Sequence, residues 1–557
     1  MRLTVLIVGG YGTFGGRLAA LLAEDSRLRL LIGGRSLDKA GALIARLPKG
    51  AELVPVIFDR DSGTAGEIRA LGVDVLVDAT GPFQNYGDDP FRLVRETIAA
   101  RAHYLDLADS SAFVAGIAQF DAAAREQGVF VLSGVSSFPV LSVAAMRELT
   151  RGMSCVTSLT GGIAPSPRAG IGGNVVQAIM SYAGQSIQLT RDGRTTTASA
   201  LTESTRYTIA PPGGLPLRNT RFSLIDVPEL MLLSAAQPGL QSVWMGGGTR
   251  PEILLRALNL LAWLVRLRLL PSVGWLAGFG HWLMSRMHWG EHRGGMFVEV
   301  AGTRDGATLK RSWHLVAEGD DGPFIPSMAI AIIVGKLLDG TQPAIGARPA
   351  LDALSLADYE ARFRSKNMAW GMWEDGPEPD GPLYREVLGE AWERLPGAVR
   401  CLHDWRGGQV VAGEADVIIG SGWLARIVHR VMGFPAAGQG VPVSVNFSER
   451  DGVETWTRDF AGRRFSSDQS AGIGRNERLI VERFGPVRVA LAVLGDETGL
   501  RLVIRSWTLF GMPLPLALGP TTEAREHEAD GRFHFDVSIG HRLTGLIVRY
   551  RGWLIRR

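Results

Sequence analysis

"VGGYGTFGGRLA" (residues 8–19) decides how the first part of this chain folds. Its glycines at Gly10, Gly12 and Gly15 read G-x-G-x-x-G, a pattern that carries little weight alone. The flanking residues supply the context. "LTVLIVGG" (3–10) is a short apolar run of the kind that forms a buried parallel strand, and "TFGGRLAALLAED" (13–25) has helical spacing. Strand, glycine turn and helix in this order form a dinucleotide cradle. Gly10 is expected to allow the tight turn, Gly12 to let backbone approach a pyrophosphate, and Gly15 to let the helix pack against the strand. Tyr11, Thr13 and Phe14 sit between these glycines and would share the contact. The unpaired N–H groups at the helix start would face the phosphates.

The alternation continues outward from this turn. Further strands are predicted over 27–34, 51–59, 73–81, 103–109 and 129–135, with helices over 36–47, 63–71, 89–102 and 112–128. Six strands alternating with helices predict a doubly wound parallel Rossmann sheet over residues 1–150, within an α/β fold class.

The end of the second strand bears on which dinucleotide is bound. An Asp or Glu there would hold the ribose 2′-hydroxyl of NAD, but the sequence reads "GGRS" (33–36). Arg35 suits a 2′-phosphate and Ser36 can add a hydroxyl, so NADP is expected over NAD. Asp59, ending the third strand, either accepts from an adenine amino group or caps the next helix. "DATGPFQNYG" (78–87) follows the fourth strand on the carboxyl edge, where ligands bind. Thr80, Gly81 and Pro82 would run past the nicotinamide end, with Tyr86 nearby. Tyr104, Asp106 and Asp109 also lie at or near this edge. No partner visible in the sequence singles out a proton donor, so the catalytic residues are left unassigned, and Asp106 has the alternative of capping a strand end.

"VGGYGTFGGRLA", "GGRS", "DATGPFQNYG" and "AHYLDLAD" (102–109) together resemble the NADP-binding domain of the saccharopine dehydrogenase-like oxidoreductases. "GVSSFPVLSVAAMRELT" (134–150) resembles the segment that leaves the sheet in that family, and "FIPSMAIAIIVGKLLDG" (324–340) the helix by which the middle domain returns. The resemblance implies an NADP-binding fold and a reductase activity without implying saccharopine. The family includes members acting on lipids, among them trans-acting enoyl reductases of polyketide lipid synthesis.

At 557 residues the chain exceeds one hydrophobic core, and its composition, 46% hydrophobic and 21% charged, is that of an ordinary globular protein. A net charge of +3 with scattered basic residues gives no case for nucleic acid. Cys155 and Cys401 stand far apart with no C-x-x-C, which fits a reducing compartment and argues against a disulfide framework. The N-terminal apolar run flows into the glycine turn and reads as a strand, not a signal peptide. The expected location is cytoplasmic.

Residues 151–372 mix strand-like and helical runs and are read as an α+β substrate or dimerisation domain. "GGIAPSPRAGIGGNVVQAIMSYA" (161–183) would either contact substrate or form a plain crossover, the simpler reading. "EILLRALNLLAWLVRLRLLPSVGWLAGFGHWLM" (252–284) is the most apolar stretch, but arginines and Pro271 interrupt it, so a transmembrane span is not expected. Arg256, Asn259, Trp263 and Arg266 would share one helical face. That suits peripheral membrane contact, a homodimer contact or a buried helix pair. "HWGEH" (288–292) matches H-x-x-E-H, but Gly290 and the following "RGG" argue for a loop and against zinc.

"WEDGPEPDGP" (373–382) reads as a linker to a β-rich domain over 383–557. There, helices are expected over 383–395 and 422–433. Alternation predicts antiparallel strands, with Val441, Val443, Val445 and Phe447 on one face. A curled sheet around helices would leave either an apolar interior for a lipid-like ligand or a filled core. Arg458, Arg463 and Arg464 would either bind an anion or solvate the sheet. The tail 545–557 is a final strand or a surface helix. "ETWTRDFAGRRF" and "GMPLPLALGP" resemble a domain of unknown function found beside such reductase domains. The functional expectation is an NADP(H)-dependent oxidoreductase transferring hydride to or from an imine, carbonyl or enoyl group of a small-molecule or lipid-like substrate. The alternative is a non-catalytic NADP-binding sensor or lipid-binding scaffold.

Overall fold

The computed structural model describes residues 2–170, 172–237, 239–375 and 381–556. The chain divides into two compact units, one of residues 1–206 with 220–369 and the other of residues 207–219 with 370–557. Of the expected linker, residues 373–375 end the strand Met368–Asp375, 381–382 precede a helix, and 376–380 lie outside the described residues.

In the first unit, β1 (Leu3–Val8), β2 (Leu28–Gly34), β3 (Glu52–Ile57), β4 (Val75–Asp78), β5 (His103–Asp106) and β6 (Phe130–Ser133) form a parallel sheet. Its order runs from Gly346–Pro349 through β6, β5, β4 and β1 to β2 and β3. The order reverses between β1 and β4, the switch point at which such sheets bind ligands. Residues 4–8 of β1 are all buried, as a strand covered on both faces must be. The Gly346–Pro349 strand, parallel to β6, is a seventh that the sequence pattern does not announce.

Between β1 and the first helix, α1 (Thr13–Leu22), the backbone turns sharply. Gly9, not Gly10, takes the left-handed conformation, with φ +74°. Gly10 is instead the close-approach residue, because a Cβ there would meet the Ile7 carbonyl oxygen at 2.8 Å. At Gly15 a Cβ would lie 2.3 Å from the Gly9 carbonyl oxygen, so only glycine lets α1 sit this close to the strand end.

Beyond β6 the chain builds a mixed sheet. Thr220–Leu224, Ser242–Gly248, Cys155–Ala164, Arg293–Arg304 and Ala307–Glu318 lie side by side in that order. The helices Gly173–Tyr182, Glu252–Arg266 and Ala277–Met284 belong to the same unit. The returning helix, Ile325–Leu338, meets the glycine turn directly: its Ser327 hydroxyl donates to the Phe14 carbonyl at 3.0 Å.

The second unit is an antiparallel barrel. Its sheet closes where Val487–Asp496 pairs with Gly499–Leu509. Val443, Val445 and Phe447 turn inward as the alternation requires, with Val441 partly buried beside them, and the tail Gly545–Arg556 is a strand. The strands Gly408–Ile419, Arg463–Ala471 and Pro520–Ala529 and the helix Gly397–His403 add to the elements expected from sequence. The interior holds Tyr384, Trp392, Trp405, Phe447 and Trp456, packed around the helical segment that starts at Leu383. Arg458 also points inward, 2.9 Å from the Ser467 hydroxyl, while Arg463 and Arg464 are exposed. The three arginines therefore form no common anion site.

Candidate functional site

The carboxyl edge of the parallel sheet opens into a cavity of about 1290 Å³ within the first unit. One end is built from the glycine turn. Tyr11, Gly12, Thr13 and Phe14 line it, while Gly10 and Gly15 lie beneath, shaping the backbone rather than the wall. No side chain caps α1 at Gly12, so nothing competes with a ligand for the first-turn N–H groups. The Tyr11 ring packs on Gly34, where a Cβ would meet it at 2.4 Å. These features form a cradle into which a pyrophosphate fits.

Arg35 follows β2 at the cavity wall, exposed and bonded to no other described residue. Ser36 does not line the cavity. Its hydroxyl caps the helix α2 (Leu37–Ile44), accepting from the Lys39 N–H at 3.3 Å. Asp59 lines the cavity beyond β3, and its carboxylate accepts from the Asp61 N–H at 3.0 Å. The next helix, α3 (Ala65–Ala70), is capped by Thr64 in a capping box with Glu67, so Asp59 is not its cap.

Past β4 lies a dense polar knot. Asp78 is wholly buried and accepts from the Thr80 hydroxyl at 2.6 Å. The Tyr86 hydroxyl lies 2.6 Å from that of Thr80, accepts from the Gly81 N–H at 3.1 Å and reaches Asp78 at 3.2 Å. Arg60 lies over the Tyr86 ring, 3.3 Å from its centroid, with its Nε 3.6 Å from Asp78. Burial, then the neighbouring Asp78 charge, push the Tyr86 phenol far above its ordinary range. Tyr86 therefore pins the loop that carries Thr80, Gly81 and Pro82, all of which line the cavity. Its proton is committed to that task.

Of the other edge residues, Tyr104 is buried in the sheet away from the cavity. Asp106 accepts from the N–H groups of Ala108 at 3.0 Å and Gly134 at 2.7 Å, fastening β5 to the turn after β6. Burial raises it to about 7. Asp109 does line the cavity, where Gln84 donates to it at 3.1 Å. Two further cavity residues, Tyr182 and Asp226, belong to this neighbourhood and were not anticipated. Ser111 donates to Asp226 at 2.6 Å. Burial raises both carboxyls, and at Asp109 the Asp226 charge adds to it. Burial, with the charges of Asp109 and Asp226, likewise raises the Tyr182 phenol. The arrangement favours keeping a proton at this end of the cavity.

The segment 161–183 is part of the wall, not a plain crossover. Arg17 of α1 donates to the Ala169 carbonyl at 2.8 Å, and Asn174 donates to the carbonyls of Thr80 at 2.9 Å and Gly81 at 3.1 Å. Beyond it the wall turns apolar, with Ile179, Leu258, Leu261 and Leu283 from three helices and Leu276 from the turn before the last of them. Asn259 faces inward, donating to the Leu201 carbonyl at 2.6 Å, and so leaves the face expected for it with Arg256, Trp263 and Arg266. The "HWGEH" stretch is irregular rather than helical, with Gly290 at φ +136° and His292 paired to Asp320 at 3.0 Å. No group of metal-ligating side chains is assembled among the described residues.

Residues 395–554 match the family described as Domain of unknown function (DUF4166). No curated protein matches the chain in sequence. Among solved structures, the chain is similar to saccharopine dehydrogenase (L-Glu forming) from Saccharomyces cerevisiae, with 14% identity and a TM-score of 0.48, covering 68% of this chain and all of that one. It is also similar to GenD2 from gentamicin A biosynthesis, determined with NAD, at 16% identity and a TM-score of 0.29, covering 62% of this chain and 89% of GenD2. A dehydrogenase from Chromobacterium violaceum shows 10% identity and a TM-score of 0.28, covering 57% of this chain and 75% of that one.

Proposed function

We propose that this protein is an NADP(H)-dependent oxidoreductase acting on a carbonyl, imine or enoyl group of an apolar, lipid-like substrate. The observation that carries this reading is the continuity of one cavity. It runs from the uncapped start of α1 and Arg35, past the Thr80–Tyr86 loop, to Asp109 and a wall of leucines. A bound nicotinamide would supply hydride chemistry; the protein's part is to position, exclude water and manage a proton.

Gly12 and the first turn of α1 would hold the pyrophosphate. Arg35 would pair with a 2′-phosphate, since β2 ends in Gly33 and Gly34 with no carboxylate to hold a 2′-hydroxyl. Asp59 would accept from the adenine amino group. Asp109, with its raised carboxyl at the cavity wall, would hold the proton that accompanies hydride transfer.

Titration of wild type and Arg35→Ala with NADPH and NADH tests the cofactor assignment. The variant should lose about tenfold in NADPH affinity, one exposed charge-assisted bond, and keep its NADH affinity. Unchanged NADPH affinity removes the assignment. Incubation with NADPH and a panel of imines, ketones and enoyl lipids tests the reaction, and oxidation of NADPH with any of them excludes a non-catalytic sensor or scaffold.

A further inference from the structure

The helices Glu252–Arg266 and Ala277–Met284, with the connection 267–276 between them, have apolar side chains on two faces. Inward, Leu258, Leu261, Leu276 and Leu283 line the cavity. Outward, Leu260 (63% exposed), Trp263 (41%), Leu267 (60%), Trp275 (74%), Phe279 (60%) and Trp282 (50%) meet solvent. Ordinary surfaces do not carry so many large apolar side chains on one short segment. Phe279 belongs to both sets: it lines the cavity and is mostly exposed, so the apolar end of the cavity reaches the surface within this patch.

The charge on the patch has one sign. From residue 252 to residue 290 the only carboxylate is Glu252, which pairs with Arg206 at 2.6 Å and Arg256 at 2.8 Å. Arg266, Arg268 and Arg286 are exposed and have no carboxylate partner among the described residues. Arg266 lies 4.6 Å from the Trp263 ring centroid and Arg286 lies 5.3 Å from that of Trp282. Tryptophans with arginines folded over them suit a lipid headgroup layer, where rings sit at the interface and guanidinium groups meet phosphates. A second copy docked here across a twofold axis would bring these unpaired arginines toward their own counterparts. No helix of the described residues is long and apolar enough to cross a membrane, so contact through this patch would be peripheral.

We propose that this two-helix surface docks on an anionic phospholipid bilayer, and that the substrate's apolar chain enters the cavity from the bilayer beside Phe279. The entry route rests on the proposed oxidoreductase function; the docking does not.

Flotation of the full chain with phosphatidylcholine vesicles, with and without phosphatidylglycerol, tests the docking. The protein should float with the anionic vesicles and be released by high salt. Arg266→Gln/Arg268→Gln/Arg286→Gln should weaken partitioning about a hundredfold, at roughly tenfold or less per arginine. Trp275→Ser/Trp282→Ser should abolish flotation while NADPH affinity and melting temperature stay at wild-type values. An absence of flotation with anionic vesicles overturns the proposal. So does a concentration-dependent dimer, seen by light scattering, that the tryptophan substitutions dissolve while vesicle binding is absent. If flotation occurs but NADPH is never oxidised, the docking stands and the oxidoreductase function fails.

Discussion

Replacing Gly15 by alanine puts the deciding turn under direct stress, and Gly16→Ala supplies its control one residue away. At Gly15 the new methyl would lie 2.3 Å from the Gly9 carbonyl oxygen and 2.9 Å from the Gly10 Cα, both backbone atoms. Carbon and oxygen settle at about 3.3 Å even in favourable contacts, so α1 and the turn must part by roughly 1 Å. Overpacking of this kind costs about 1–3 kcal/mol. In a unit of this size that lowers the melting temperature by about 1–4 °C, because the shift per kcal/mol shrinks as the unfolding entropy grows with chain length. The same retreat carries the first-turn N–H groups off the phosphate position, so NADPH affinity should fall at least about tenfold. At Gly16 the nearest atom, Leu43 Cδ1, is 3.7 Å from the methyl, an ordinary contact. Alanine there should leave binding unchanged and gain up to about 1 kcal/mol of helix propensity. Differential scanning calorimetry with fluorescence titration of NADPH measures both. Equal behaviour of the two variants, or wild-type NADPH affinity in Gly15→Ala, would refute the close-packed turn.

Tyr86→Phe removes the hydroxyl that bridges Thr80, Gly81 and Asp78. It should cost about 1–3 kcal/mol of stability, visible as a lower melting temperature, because the Gly81 N–H and the buried Asp78 each lose a partner. NADPH affinity should also drop as the loop loosens; a Phe variant indistinguishable from wild type in both would show that Tyr86 does not pin it. Asp106, raised to about 7, favours the protonated form in the folded protein. Its contribution to stability is complete below about pH 4 and is lost as pH rises through about 7, up to about 4 kcal/mol. Asp106→Asn should flatten the fall in melting temperature over that window, and a parallel fall in wild type and variant would count against the assignment.

The parallel sheet was readable in the sequence because each strand is a compact apolar run beside a helix of regular spacing. β1 through β6 lie within the stretches their hydrophobicity marks. The exceptions have local causes. Gly346–Pro349 is short and carries no apolar run, and it comes about 200 residues after β6, so only the tertiary structure makes it a strand. The turn holds Gly9, Gly10 and Gly12, and the one that takes left-handed backbone, Gly9, precedes the motif's first glycine. Ser36 is a small hydroxyl at a strand-to-helix junction, where capping competes with ligand contact, and capping prevails. The Thr64-x-x-Glu67 capping box could have been recognised beforehand, and it would have removed one of the two alternatives at Asp59.

Asp226 and Tyr182 were beyond reach for a different reason. Neither stands in a motif, and Asp226 lies more than a hundred residues from the Asp109 carboxyl whose proton affinity it raises. Ser111, two residues past Asp109, bonds Asp226, and the helix Gly173–Tyr182 is tied to the Thr80–Gly81 loop through Asn174, so contacts distant in sequence bring these groups together. Asn259 makes the same point within the most apolar segment. Read on a helical wheel it belongs with the exposed arginines. In the fold its amide serves the Leu201 carbonyl and the Ser223 hydroxyl, so the side chain turns inward. With Asn259 accounted for inside, the exposed stripe of this helix consists of Ile253, Arg256, Leu260, Trp263 and Leu267. That is a sharper amphiphile than the sequence suggested, with apolar side chains on the solvent side and arginine as its charged partner. A helix that only covered a core would carry the opposite pattern on its outer face. The exposed stripe is therefore better explained by a surface it meets than by the core it covers.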